Sequence, residues 1–148
     1  AVMPFTDPKS PAEAKFSLPF ACATALLYGR VGLGELTETA LADPKLRALM
    51  AKVRVDTHED YDPNYSVAAV FDVVSITTAD GQTQTSPKIH RATGHADAPL
   101  SRAQHWLKFA DCAASGSLGA DAARRLFDAC YSIDTLSGPE ALFATAGA

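Results

Sequence analysis

Two polar residues, Lys15 and Ser17, lie in an otherwise apolar segment that also contains Pro19. The segment begins like a helix, because residues 10–13 (Ser-Pro-Ala-Glu) follow the order of a capping box with a first-turn proline. Pro19 cannot donate a backbone hydrogen bond and its ring crowds the carbonyl of Lys15, so we expect one buried helix that bends there. A cation and a hydroxyl at such a break suit a ligand cavity. An ordinary kinked core helix, which is the commoner arrangement, explains them equally well.

Histidines are the other residues that could support acid–base or metal chemistry. His58 lies in an acidic stretch, 56–62, whose spacing matches neither a calcium loop nor a His-Glu-x-x-His zinc helix, so we expect a solvated strand end and no metal site. His90 shares a predicted strand with Lys88 and Arg91, and alternation places Lys88 and His90 on one face and Arg91 on the other. Such a cationic face could receive a dicarboxylate, although charge that protects an edge strand is the more common role.

Motifs of other enzyme classes do not occur in the sequence. There is no Gly-x-Ser-x-Gly elbow, no phosphate-binding loop and no Cys-x-x-Cys pair, and we expect no cofactor. The cysteines are isolated in apolar surroundings, which indicates buried thiols of a reducing, cytoplasmic compartment and not a disulfide framework. They are Cys22, Cys112 and Cys130.

The middle of the chain has the pattern of antiparallel strands. Residues 53–59 alternate and residues 67–78 are rich in β-branched side chains, so both are predicted strands. The Asp-Gly pair at 80–81 is a strong two-residue hairpin signal. The returning strand over 82–92 contains Pro87, which predicts a sheet edge or a bulge at that position.

Helices are predicted on both sides of these strands. Asp43 caps a short helix with Pro44 in its first turn, and further helices begin at Ser101, near residue 120 and at Ser137. The predicted fold is α+β, with a small antiparallel sheet of about three to four strands packed against several helices, in a single domain over 1–148.

Composition agrees with a compact domain and excludes two kinds of partner. Of the 148 residues, 47% are apolar and 20% are charged, which is close to the usual globular balance. The formal net charge of -4 argues against nucleic acid as a partner. The longest uncharged apolar stretch, 17–29, is too short to cross a bilayer, and no signal peptide precedes it, so we expect no membrane partner.

The order of several short motifs resembles the C-terminal part of the MmgE/PrpD family. Glu-Ala-Lys-Phe-Ser at 13–17 precedes a small apolar helix that ends in glycine, and Asp-Pro-Lys-Leu at 43–46 precedes Lys-Val at 52–53. A Gly-x-x-x-x-Pro-Leu-Ser turn follows at 94–101, with Lys-Phe at 108–109. The family includes 2-methylcitrate dehydratases, cis-aconitate decarboxylases and iminodisuccinate epimerases. The resemblance covers nearly the whole chain.

This resemblance implies the lid half of an active site. Family enzymes are much longer, with an N-terminal all-helical domain that contains most residues proposed for proton transfer. We expect that domain to be absent here, as in a truncated form or remnant of a longer gene product. The final helices would then lack a partner for part of their apolar face, and the exposed patch would favour self-association.

The reactions of the family imply roles for three residues. Dehydration, decarboxylation or epimerisation beside a carboxylate needs a proton donor or acceptor, together with groups that hold the substrate carboxylates. The resemblance implies that Lys15, Ser17 and Arg30 hold the substrate carboxylates, and it identifies no catalytic residue. We expect the chain to enclose a small polycarboxylate as part of a homo-oligomer, with no meaningful turnover alone. The alternative is a stand-alone, non-catalytic binding or oligomerisation module.

Overall fold

A computed structural model describes residues 3–57, 60–63 and 65–146. Within the single domain predicted over 1–148, the chain forms two compact units. The helical unit comprises Ala1–Val55 and Gln104–Ala148, and the strand unit comprises Asp56–Ala103.

Seven α-helices and two short 3-10 helices form within the described ranges. No helix in those ranges is long and apolar enough to span a bilayer. The α-helices are α1 (Pro11–Ala14), α2 (Leu18–Tyr28), α3 (Glu38–Ala42), α4 (Pro44–Met50), α5 (Arg102–Ser115), α6 (Ala120–Tyr131) and α7 (Pro139–Ala146), and the 3-10 helices are Leu33–Glu35 and Ile133–Thr135.

The main core of the helical unit forms where α2 packs on α4 and α4 packs on α3. Phe20 of α2 and Leu46 of α4 are fully buried. Leu46 and Met50 lie one turn apart, so they present one apolar face to α2, as the sequence pattern predicts. The buried members of this core are Ala14, Phe20, Ala23, Leu41, Leu46 and Met50.

A second cluster is built from aromatic rings of α5 and α6. Phe127 is almost fully buried, and its ring centroid lies 5.2 Å from that of Trp106 and 5.5 Å from that of Phe109. Beyond this cluster Leu107 is 69% exposed and Phe143 is 72% exposed. These two side chains agree with the exposed apolar patch expected on the final helices.

The strands pair antiparallel in two separate ladders. Strand β1 (Tyr61–Asp62) pairs with β2 (Tyr65–Ala69), and β3 (Ser75–Thr77) pairs with β4 (Thr83–Thr85). The α+β class and the antiparallel pairing are therefore confirmed, while the strands that the structure describes form two ladders and not one continuous sheet.

The strand predicted over 53–59 does not form in the described part of that range. Residues 53–57 have no regular structure, and His58 and Glu59 lie outside the described residues. A strand needs a hydrogen-bonded neighbour, which alternation along one segment cannot specify.

The β3–β4 hairpin contains the bulge that Pro87 predicts. Ser75 faces Thr85 and Thr77 faces Thr83, but Asp72 then faces Ile89, so the returning strand contains one extra residue. Pro87 lies within this bulge because it has no N–H to contribute to a regular ladder.

The cysteines are free thiols, as predicted, but they are less buried than expected. Cys22 is half-buried, and burial raises the pKa of its thiol. Cys112 and Cys130 are exposed, so the prediction that they are buried was wrong.

The start of α4 depends on the ionised side chain of Asp43. Its carboxylate accepts hydrogen bonds from the Lys45 backbone N–H at 2.8 Å and from the Tyr28 hydroxyl at 2.9 Å. These bonds, the one from Lys45 first, lower the pKa of Asp43 below its usual value.

We expect the Asp43→Asn variant to be less sensitive to acid than the wild type. A lowered pKa in the folded state stabilises the fold above the unfolded pKa of about 3.9, and this contribution is lost as the pH falls through the folded value. Asparagine still caps a helix but does not ionise. The free energy of unfolding of the variant should therefore fall less steeply than that of the wild type below about pH 5. Urea denaturation at a series of pH values measures this free energy, and an identical dependence on pH for both proteins would contradict the prediction.

Candidate functional site

The segment around Lys15 is a junction between two helices and not a bend within one. Helix α1 begins with Ser10, whose Oγ accepts a hydrogen bond from the Glu13 N–H at 3.3 Å. After Ala14 the chain turns, with the Ser17 N–H donating to the Ala14 carbonyl at 3.2 Å. The expectation of one continuous helix bent at Pro19 was therefore wrong.

Ser17 explains why the proline is tolerated. Its Oγ accepts a hydrogen bond from the Phe20 N–H at 3.2 Å, which makes it the N-cap of α2. Pro19 then lies in the first turn, where a backbone N–H would have no partner within the helix. Ser17 is fully buried, so its hydroxyl positions α2 and could reach a ligand only if the first turn opened.

Lys15 is the residue at this junction that a ligand can reach. Its backbone N–H donates to the Pro11 carbonyl at 3.3 Å, while its side chain extends into solvent. Among the described residues no ion pair involves its ammonium group. The neighbouring Phe16 is 51% exposed, so a cation and an aromatic ring are presented side by side.

Arg30 lies at the opposite end of α2 in a loop organised by carboxylates. Its Nε donates to Glu35 Oε1 at 2.8 Å, and its Nη2 lies 3.6 Å from Asp111 Oδ1. The hydrogen bond with Glu35, followed by the charges of Glu35 and Asp111, raises the pKa of Arg30 above its usual value. Its guanidinium is thus already engaged by anions of the same unit.

The loop also explains the glycine at position 32. The Gly32 N–H donates to Glu35 Oε2 at 2.8 Å, and the Leu33 N–H donates to Asp111 Oδ2 at 3.0 Å. A Cβ atom at Gly32 would lie 2.9 Å from Asp111 Oδ2 and 3.2 Å from Glu35 Oε2. A side chain at residue 32 would therefore require the carboxylates of Asp111 and Glu35 to shift away from the backbone.

The three predicted site residues do not converge on one point. Helix α2 has 11 residues, so Ser17 and Arg30 are separated by about 16 Å of helix. Lys15 precedes this helix and Arg30 follows it, so the two cations lie at its opposite ends. Substrate binding by Lys15, Ser17 and Arg30 stays a prediction, with Lys15 the best placed of the three.

A cleft of about 520 Å³ in the helical unit contains a proton donor and acceptor at hydrogen-bonding distance. These are the Tyr28 hydroxyl and the Asp43 carboxylate. The hydrogen bond to Asp43 raises the pKa of Tyr28, and the pKa of Asp43 is lowered as described above. Both values move away from neutrality, so the pair is poorly suited to general acid–base catalysis.

A second cleft, of about 440 Å³, lies within the strand unit and is lined by both His90 and Arg91. His90 Nδ1 lies 3.0 Å from the Val70 carbonyl oxygen, while Arg91 lies 3.8 Å from Asp62 Oδ2 and 3.6 Å from Asp97 Oδ2. Strict alternation had placed Arg91 on the opposite face, but residues 90 and 91 follow the bulge and are not part of a ladder.

The acids near this strand pair with Arg91, whereas the predicted cationic face of Lys88 and His90 lies against an aromatic ring. Lys88 Nζ lies 3.9 Å from the centroid of the Phe71 ring, and His90 meets the same ring edge-on, so these two share a face as predicted. Asp62 and Asp97 partly neutralise Arg91. Sequence reasoning missed Asp97 because it lies in a turn that becomes adjacent to Arg91 only after folding.

The acidic stretch 56–62 lies partly outside the described residues, since His58 and Glu59 are not described. Asp62, its last member, pairs with Arg91. Within 3–57, 60–63 and 65–146, no group of three or more His, Cys, Asp or Glu side chains could hold a metal ion.

These features define an α+β chain with an accessible lysine between the N-cap serines of α1 and α2, and with a cleft in its strand unit that is lined by both acidic and basic side chains. A model of the MmgE/PrpD C-terminal domain family matches residues 2–133, which spans most of both units. The chain belongs to the MmgE/PrpD C-terminal domain family. No curated protein sequence matches it significantly.

We expect the Ser17→Ala variant to lose about 1 kcal/mol of stability, as is typical when an N-cap is removed. The buried Phe20 N–H would lose its acceptor at the start of the helix that forms the main core. Urea denaturation of the two proteins measures the change in the free energy of unfolding.

Ser10→Ala is the matched control, because it removes the same kind of cap from α1, which has only four residues. Its effect should be smaller than that of Ser17→Ala. An equal or larger loss for Ser10→Ala would show that the Ser17 cap does not determine the position of α2.

Proposed function

We propose that this chain is the substrate-enclosing domain of a cytoplasmic lyase or isomerase that acts on small polycarboxylates, with reactions of the 2-methylcitrate dehydratase type. The family match over residues 2–133 carries this proposal. The polycarboxylate and the choice among dehydration, decarboxylation and epimerisation are open within it.

Lys15 is the group that we propose to meet a substrate carboxylate. An exposed ammonium with no ion pair among the described residues can form a charge-assisted hydrogen bond without breaking an existing one. The caps at Ser10 and Ser17 fix the backbone on both sides of it, which reduces the entropy lost when a ligand binds. The exposed ring of Phe16 offers an apolar surface to the carbon skeleton of the acid.

Arg30 and Arg91 are weaker candidates for this role. Arg30 would have to exchange Glu35 and Asp111 for the substrate, and Arg91 would have to do the same with Asp62 and Asp97. The substrate would then replace existing ion pairs, so the net gain would be small.

Enclosure, and not proton transfer, is the role that the helical unit supports. Its donor–acceptor pair, Tyr28 and Asp43, has pKa values displaced away from neutrality. We therefore propose that the groups that transfer the proton belong to the all-helical domain typical of the family, and that the active species is a homo-oligomer.

Lys15→Ala in the full-length gene product should lower kcat/KM for a polycarboxylate by about 10- to 100-fold. This corresponds to about 1.5–3 kcal/mol for a lost hydrogen bond to a charged group. The assay measures consumption of methylcitrate, cis-aconitate and iminodisuccinate separately. Lys15→Arg should retain more activity than Lys15→Ala because it keeps the charge.

Lys52→Ala is the control, since Lys52 is also an exposed lysine but follows the end of α4. It should leave kcat/KM unchanged. Equal kinetics for the wild type, Lys15→Ala and Lys52→Ala would remove Lys15 from the site. No turnover of any polycarboxylate by the full-length wild type would contradict the proposed function itself.

The exposed apolar side chains of the final helices favour a second function, that of a non-catalytic oligomerisation module. Leu107 and Phe143 are more than two-thirds exposed, and Ile133 is 61% exposed. This alternative predicts association through these side chains and no role for Lys15. Loss of association in a Leu107→Ser, Phe143→Ser double variant, together with full-length protein that is inactive on all three acids, would favour it.

A further inference from the structure

The β3–β4 hairpin is a two-stranded ribbon with little cover on either face. All residues from 72 to 85 are exposed, and Ile76 is 40% exposed although it lies at the centre of β3. Hydroxyl pairs join the strands on one face, Ser75 with Thr85 and Thr77 with Thr83, both at 2.9 Å. A two-stranded hairpin is only marginally stable in water, whereas additional strands stabilise it.

The two edges of this ribbon differ in their capacity to accept another strand. The outer edge of β4 continues into the bulge at Pro87 and then Lys88, and proline, bulges and lysine all discourage pairing. The β3 edge has no such protection, because residues 73–79 contain no proline and no charge. A strand partner would therefore pair with β3.

The hydrogen bonds within the hairpin show which backbone groups of β3 point outward. The Ser86 N–H donates to the Val74 carbonyl and the Thr78 N–H donates to the Gln82 carbonyl, both at 2.9 Å. Alternation along an antiparallel pair then directs the N–H and C=O groups of Ser75 and Thr77 away from β4. In the part of the chain that the structure describes, these outward groups have no backbone partner.

We propose that β3 pairs antiparallel with β3 of a second copy of this chain, about a two-fold axis at Ser75. In this register Val74 faces Ile76 of the second copy, and Val73 faces Thr77 of the second copy. Each β-branched side chain meets another across the axis, and such cross-strand pairs are favourable. The result is one continuous sheet of four strands.

The sequence of the edge favours a second copy over an unrelated peptide. An isologous contact requires a patch that is complementary to itself. The nearest acids, Asp72 and Asp80, face uncharged residues in this register, namely Thr78 and Val70 of the second copy. No like charges therefore oppose each other along the paired edge.

Proline substitutions on the two edges test the proposal. Ser75→Pro and Thr85→Pro each remove an outward-pointing N–H, and each removes the same hydroxyl pair from the hairpin. Sedimentation equilibrium of the full chain should show a dimer for the wild type and for Thr85→Pro. The dimer dissociation constant of Ser75→Pro should be at least about tenfold higher. A monomeric wild type, or equal dissociation constants for all three proteins, would overturn the proposal.

Amide hydrogen exchange of the wild type provides a measurement that does not depend on how well a variant folds. Exchange at Ser75 and Thr77 should slow as the protein concentration rises, while exchange at Thr83 and Thr85 should not change. Concentration-independent exchange at Ser75 and Thr77 would overturn the proposal. Slower exchange at these two amides only after a different extended peptide is added would overturn it as well. Lys15 plays no part in either experiment, so the outcome does not bear on substrate binding at Lys15.

Discussion

The hydrogen bond between the Phe20 N–H and the buried Ser17 hydroxyl fixes the position at which α2 begins, and much of the helical unit depends on it. Because the first turn starts at Leu18, Phe20 points into the core, where it is buried in the cluster that includes Leu46 of α4. At the other end of α2, Gly29 adopts a left-handed conformation with φ of 73° and ends the helix. Gly29 then directs the chain into the Arg30 loop. If α2 began one residue earlier or later, its buried face would be rotated by about 100°.

Carboxylates of this unit hold backbone N–H groups, and for Asp43 this role limits its use as a base. Asp43 caps α4, Glu35 binds the Gly32 N–H, and Asp111 binds the Leu33 N–H. The bonds to Asp43 stabilise its ionised form and lower its pKa, which makes Asp43 a weak base near neutral pH. The interaction that caps α4 therefore withdraws Asp43 from proton transfer. This physical cost agrees with a domain that binds and encloses, and it does not favour one that performs the proton transfer.

Features that depend on neighbouring residues could be predicted from the sequence. The Ser10 and Asp43 caps and the bulge at Pro87 are all present, because each follows from a few consecutive residues. The turn before β4 also forms, but its loop contains the three residues 79–81 and not the two residues that the Asp-Gly pair predicts. The sequence pattern predicts a bend at Pro19 where the structure begins a new helix after Ser17, and the reason for this error is also local. A proline inside a bent helix and a proline in a first turn have similar sequence surroundings, and the serine two residues earlier was the signal for the second arrangement.

Features that depend on distant residues could not be predicted. Asp111 meets Leu33 across 78 positions, and no pattern near either residue indicates the contact. The ion pair of Arg30 with Asp111 accompanies that contact, whereas its ion pair with Glu35 joins residues only five positions apart. Burial of Ser17 is a similar outcome, since it depends on how the core closes around α2. Lys15 differs from both because it is exposed, and no ion pair involves it in the part of the chain that the structure describes.

The contrast between Lys15 and the two arginines shows how the fold assigns different tasks to cations of equal charge. Arg30 presents a planar fork that fits two carboxylates, and this geometry ties α5 to the loop after α2. Arg91 has the same relation to Asp62 and Asp97 within the strand unit. An ammonium group is a compact charge on a flexible stem, so it is less suited to such fixed pairs and better suited to a ligand that arrives and leaves. The placement of lysine at the exposed junction and of arginine in the ordered loops is therefore consistent with a binding role at the junction and a structural role elsewhere.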